Sequence, residues 1–327
     1  MVLEAVFTKA LLIPLMRKWF EKVLYIYETV QMENERNAPG VERGEPRPNF
    51  KHYLPDTDKR IERLRRLVNK RPVVIILDGP SVQELEKRIT ELDGCDICYF
   101  GLNDFRIPEK HILQKINRKY SVVMVSGKMS REGERPDIVE VVDFLERQED
   151  NMFISEPDIR ALEMARGITL KEFIRKYDQK ILFYTGMPCA TITIGSGLLF
   201  PLPSREYPLH FLRQSSFTIL LSLALIGEPS IVAVFGGDDG QINVSELHYR
   251  GSGPIDVTEL AVADSLAFDT RLFNITMPLI LVNVHKTYHL KPVDIINCST
   301  QSHYTPLRNL SYDETFALFK TIKRVAG

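Results

Sequence analysis

Val73-Val74-Ile75-Ile76-Leu77-Asp78-Gly79-Pro80-Ser81 is the stretch on which the reading of the fold turns. Five consecutive apolar residues, four of them β-branched, are too few for an independent helix and suit a strand buried on both faces. The run stops at Asp-Gly-Pro-Ser, which is turn chemistry, and Val82 to Leu92 follows with apolar residues at helical spacing. Strand, tight turn and helix form the unit from which parallel sheets are built.

The same rhythm repeats downstream. Cys95–Phe100, Ser121–Val125, Met152–Ile154, Ile181–Thr185, Ser230–Phe235 and Asp294–Cys298 read as short strands. Ile138–Arg147, Asp158–Tyr177 (interrupted near Gly167), His210–Ile226, Val257–Ala267 and Ser311–Lys323 read as helices. The fold class expected is therefore α/β, a mostly parallel sheet flanked by helices.

Upstream lies a different kind of sequence. Val2 to Val30 is apolar but carries Glu4, Lys9, Arg17, Lys18, Glu21, Lys22 and Glu28. Its longest uncharged run, Ala10 to Met16, is too short to cross a bilayer. Its positive charges follow the apolar stretch rather than precede it, unlike a signal peptide. The expectation is an amphipathic helix that docks on the body, a second copy or a partner, with peripheral membrane contact as the alternative. Asn34 to Asp56 is rich in Pro, Gly and charge and reads as a linker, and Lys59 to Lys70 as a short charged helix. The domain reading is an N-terminal helical extension with its linker over 1–60 and a catalytic domain over 61–327.

Composition narrows the function classes. The 44% hydrophobic and 26% charged residues of the 327-residue chain support a packed core and exclude a disordered chain. Lys plus Arg total 42 against 43 Asp plus Glu, a formal charge of -1, which argues against a nucleic-acid partner. Four cysteines cannot staple a chain of this length. A cytoplasmic location, at most at the inner face of the membrane, is the expectation.

In such sheets ligands meet the loops beyond the carboxyl ends of the strands. That rule selects Asp78–Ser81, Gly101–Asp104 and Gly236–Gly240. Gly79 would admit a ligand to the backbone, the helix N–H groups beyond it would hold a phosphate, and Ser81 with Glu84 would form a capping box; the alternative is a tight strand-to-helix turn that binds nothing. The turn lacks the three-glycine dinucleotide fingerprint and a P-loop lysine. Asn103 would read a base or sugar hydroxyl, or close an Asx turn. Asp238 and Asp239 would hold Mg²⁺ or a ligand hydroxyl, or cap the next element. His248, beside Tyr249, has the chemistry of a proton acceptor and equally that of a surface histidine.

Several motifs fall in an order that resembles a known group. Leu77-Asp78-Gly79-Pro80-Ser81, Asn103, Phe235-Gly236-Gly237-Asp238 and Asn297-Cys298-Ser299, then Ser302 and Leu310-Ser311-Tyr312, are similar to the motifs of bacterial lipooligosaccharide sialyltransferases. Related motility accessory (flagellin-modifying) proteins and archaeal 6-hydroxymethylpterin diphosphokinases share the pattern. The resemblance covers roughly residues 70–325. It implies a Rossmann-like nucleotide-binding domain in which Gly79, Pro80, Ser81 and Asn103 contact the CMP part of a CMP-sugar. It puts His248 as general base, Asn297, Ser299 and Ser302 in the closing segment, and Gly236 and Asp238 in the ligand loop. Asp78 departs from the Gly or Asn usual there, and the tyrosines that steady the leaving phosphate are matched only by Tyr207 or Tyr249.

The expected activity is transfer of a sugar, of the sialic acid kind, from a CMP-activated donor to a glycan or protein hydroxyl, with no cofactor. The alternatives are a Mg²⁺-dependent diphosphokinase using Asp238 and Asp239, and a noncatalytic nucleotide-binding scaffold.

Overall fold

A computed structural model describes residues 57–77, 79–103, 105–125, 138–147, 150–155, 175–188, 203, 209–213, 215–238, 273–274, 277–278, 280–299 and 302–326. The expected N-terminal helix and its linker lie outside these residues, as do Asp78, Asp104, Asp239, His248, Tyr249 and the helix expected over Val257–Ala267. The first described element is α1 (Thr57–Val68). Its Ile61, Leu64, Leu67 and Val68 recur at helical spacing and are buried, while Asp58, Lys59, Glu62 and Arg66 face solvent.

Then come β1 (Val73–Ile76), α2 (Val82–Arg88), β2 (Cys98–Leu102), α3 (Arg106–His111), β3 (Val122–Val125), α4 (Ile138–Arg147), β4 (Met152–Ser155) and β5 (Ile181–Phe183). After β6 (Thr185–Pro188) and β7 (His210–Arg213) follow α5 (Ser216–Ile226), β8 (Val232–Phe235), β9 (Ile295–Asn297), β10 (Arg308–Asn309) and α6 (Tyr312–Ala326). Eight strands form one sheet in the order β10-β9-β8-β1-β2-β3-β4-β5. Every pair in it is parallel, so the architecture is a Rossmann-like α/β sheet flanked by helices.

β1 sits between β2 and β8 with all four residues buried, as its unbroken β-branched run predicts. Burying one such side chain contributes about 1.5–3 kcal/mol. α5 is buried along nearly its whole length and contacts β2 and α1. Arg60 of α1 is also buried. Its guanidinium pairs with Asp178 and donates to the Ile181 carbonyl at 2.6 Å, which ties α1 to the β5 edge.

Two expectations are corrected. His210–Arg213 is not the start of a helix. It pairs in parallel with Thr185–Pro188, and the helix begins only after Ser215, whose hydroxyl accepts the Thr218 N–H. The strand read over Cys95–Phe100 starts at Cys98, and both cysteines are buried free thiols, with burial pushing the Cys98 thiol up to about 11. Residues 280–288 are helical, and His289 leaves that helix with a left-handed φ of 55°.

Candidate functional site

The sheet order defines where the site lies. From β1 the chain steps outward through β2, β3, β4 and β5, then returns to the other side of β1 as β8, β9 and β10. The direction of travel reverses between β1 and β8, and a crevice opens at the carboxyl ends of strands diverging this way. The turn after β1, the loop after β8 and the loop after β9 all leave the sheet at this edge.

Backbone contacts hold the first two together. The sheet ladder continues past the strand ends, with the Leu77 N–H on the Phe235 carbonyl at 2.9 Å and the Gly79 N–H on the Gly236 carbonyl at 3.1 Å. This approach requires glycine at both positions. Gly236 has φ +72°, and a Cβ at Gly79 would lie 2.4 Å from the Gly236 carbonyl oxygen and 2.5 Å from Asp238 Oδ2.

Asp238 then crosses to the neighbouring loops. Its Oδ2 accepts the Ser81 backbone N–H at 2.7 Å, and its Oδ1 accepts the Ser299 hydroxyl. Asn297, fully buried, donates from Nδ2 to the Gly237 carbonyl at 3.2 Å and accepts the Ser299 N–H at Oδ1. Tyr312, at the start of α6, donates its hydroxyl to the Ser81 carbonyl at 2.8 Å. Burial drives the Tyr312 phenol well above its ordinary pKa. Gly79, Ser81, Gly236, Asp238, Asn297 and Ser299 thus meet in one network, which Tyr312 closes.

Ser81 does not cap α2. Its own backbone is already helical and its hydroxyl makes no cap bond, so the expected capping box with Glu84 is absent. The Asp238 carboxylate serves the N–H at this turn instead, and that N–H is not open to a phosphate. Ser81 Oγ is buried with no hydrogen-bond partner among the described residues. The same Ser-x-x-Glu pattern does form a box at Ser311 and Glu314, with reciprocal bonds of 2.9 and 3.3 Å.

Pro80 lies half-buried in the turn, its carbonyl accepting the Gln83 N–H. Asn103 stands at the end of β2, one strand along the same edge. It has φ 46°, donates its N–H to the Met124 carbonyl and accepts the Phe105 N–H. It is therefore a left-handed turn residue between β2 and α3. Ser302 accepts the Tyr304 N–H at 3.2 Å in a local turn. Buried Cys298 lies against Thr315 Oγ1 at 3.3 Å, and burial raises its thiol to about 12.

Tyr312 is the network member that sequence reasoning left without a role. Its signal was position alone: it opens the helix that Ser311 and Glu314 cap. Comparison with models of protein families, with curated proteins and with solved structures found no match to this chain.

Proposed function

We propose that the protein is a nucleotide-sugar-dependent transferase that binds a CMP-activated acidic sugar in the crevice between β1 and β8 and passes the sugar to a glycan or protein hydroxyl. The observation that carries this reading is the buried Ser81 hydroxyl beside Asp238, unpartnered among the described residues, at the switch point of a Rossmann-like sheet. A buried hydroxyl without a partner costs about 1–3 kcal/mol, a cost that a polar ligand removes. With the Ser81 N–H already on a carboxylate, this corner suits a hydroxyl donor, the ribose, better than a phosphate. The motif resemblance supplies the nucleotide identity, Asn103 as a contact and His248 as general base. Tyr249 and Arg250 supply donors for the leaving phosphate.

The Mg²⁺-dependent diphosphokinase reading asks Asp238 to ligate a cation. Each of its oxygens already accepts a hydrogen from its own chain, which suits a positioning carboxylate and adds no support to that reading.

A thermal-shift screen of CMP, CDP, UDP, GDP and ATP, with and without Mg²⁺, tests the proposal. A ligand at a hundred times its Kd stabilises by about 2.7 kcal/mol. The expected result is a metal-independent response confined to cytidine nucleotides, reduced in Ser81→Ala. Without ligand that variant should be at least as stable as wild type, by up to about 1–3 kcal/mol, because it removes a buried hydroxyl that has no partner among the described residues. A response only to ATP with Mg²⁺ would favour the diphosphokinase, and silence to all five would favour the scaffold.

A further inference from the structure

A second polar surface lies away from the switch point. A groove of about 720 Å³ runs along α3, the 3-10 turn Leu113–Ile116 that follows it, and α4. Arg106, Lys110, Arg118, Lys119 and Arg147 line it, against carboxylates from Glu109 and Glu140. Both carboxylates are already taken. Arg106 pairs with Glu140 at 2.7 Å, and Arg147 pairs with Glu109. Lys110, Arg118 and Lys119 are exposed and have no acidic partner among the described residues. In a chain of net charge -1, three uncompensated cations on one concave surface form a local attraction for anions.

The neutral part of the lining selects among anions. Gln114 and Asn117 offer amide donors and acceptors, and Ile107 is the sole aliphatic side chain among the described lining residues. The imidazole of His111 is the one aromatic ring among the described lining residues, so successive bases find no run of rings to stack on, which is the usual source of affinity for single-stranded nucleic acid. A ligand matching this surface is rich in hydroxyls and carries spaced negative charges.

We propose that the α3–α4 groove binds an acidic carbohydrate, a sugar chain bearing carboxylate or phosphate groups, through charge pairing at Lys110, Arg118 and Lys119. The groove shares no residue with the switch-point network, so the proposal stands apart from the reading of that crevice.

Calorimetric titration of the full chain tests it, with trigalacturonate, glucose 1,6-bisphosphate, neutral maltotriose and a short oligothymidylate as probes. At least one acidic sugar should bind, maltotriose should not, and binding should weaken as salt rises. Arg118→Ala/Lys119→Ala should weaken binding about tenfold, two exposed charge contacts being worth about that factor, with an unchanged thermal midpoint. Should that pair disturb folding, Lys110→Ala carries the same expectation on a smaller scale. Arg66→Ala/Lys70→Ala removes equal charge from α1 and the turn that follows it and should leave the titration unaltered. The proposal is overturned by no heat with either acidic sugar at millimolar concentration, by undiminished binding in the groove variants, or by equal loss in the α1 control. Tighter binding of oligothymidylate through the same residues would overturn it as well.

Discussion

The carboxylate of Asp238, on the loop after β8, accepts the backbone N–H of Ser81, on the turn after β1, at 2.7 Å. These residues are 157 positions apart in the chain and one strand apart in the sheet. The contact places a built-in anion at the turn into α2 and, through Ser299, ties β9 into the same corner. Asp238→Ala leaves the Ser81 N–H and the Ser299 hydroxyl without their acceptor. A loss of about 1–3 kcal/mol is expected in urea unfolding, with Asp238→Asn between the two because one amide oxygen replaces two acceptors. An alanine variant as stable as wild type would show that the contact holds nothing together.

Gly79 is the point of closest approach between the two turns. An alanine there would press its methyl against the Gly236 carbonyl, which is backbone and yields only if the turns separate. Gly79→Ala should cost about 1–3 kcal/mol. It should also abolish any thermal response to cytidine nucleotides, since the crevice geometry depends on this approach. A variant that keeps both stability and response would place the ligand elsewhere.

Arg60 has a different task, at the far edge of the sheet. Its buried guanidinium satisfies the Ile181 carbonyl and meets Asp178, joining α1 to the start of β5. Arg60→Ala is expected to lower stability by about 1.5–3 kcal/mol, the range for hydrogen bonds to a charged group. Arg60→Met, which keeps the alkyl stem, should lose less. Equal urea midpoints for alanine and wild type would refute the assignment.

Glu314 carries a pH-dependent share of stability. Its carboxylate accepts the Ser311 hydroxyl and N–H, and these bonds hold its pKa below the ordinary glutamate value. A depressed folded-state pKa stabilises above the unfolded value and loses that contribution as pH falls through the folded one. Wild type should therefore exceed Glu314→Ala in urea midpoint at neutral pH. The gap should narrow below about pH 4.3, the ordinary glutamate value. A gap that stays constant down to the acid limit would rule out the ionised box.

Local pattern was enough to reveal the elements whose driving force is local. The run Val73 to Leu77 announced a buried strand because it has no polar face to turn outward. Ile138–Arg147 was found end to end because its apolar spacing is long enough to be periodic. β10 escaped notice because two residues, Arg308 and Asn309, carry no period at all, and they become a strand only by pairing with Ile296 and Asn297. His210–Arg213 was absorbed into the apolar helix beyond it, since short hydrophobic runs are ambiguous until a partner strand exists.

The candidate site divides the same way. Turn chemistry and the rule for strand ends picked out Gly79, Ser81, Asn103, Gly236 and Asp238 from the residues alone, and the motif resemblance added Asn297 and Ser299. What each group touches was decided by tertiary structure. Ser81 and Ser311 both begin a Ser-x-x-Glu pattern, yet only Ser311 forms the box. At Ser81 a carboxylate delivered by β8 takes the N–H that a side-chain cap would have served. Hydrogen-bond competition between residues 157 apart has no trace in a local pattern, because it exists only once the sheet order brings β1 and β8 side by side.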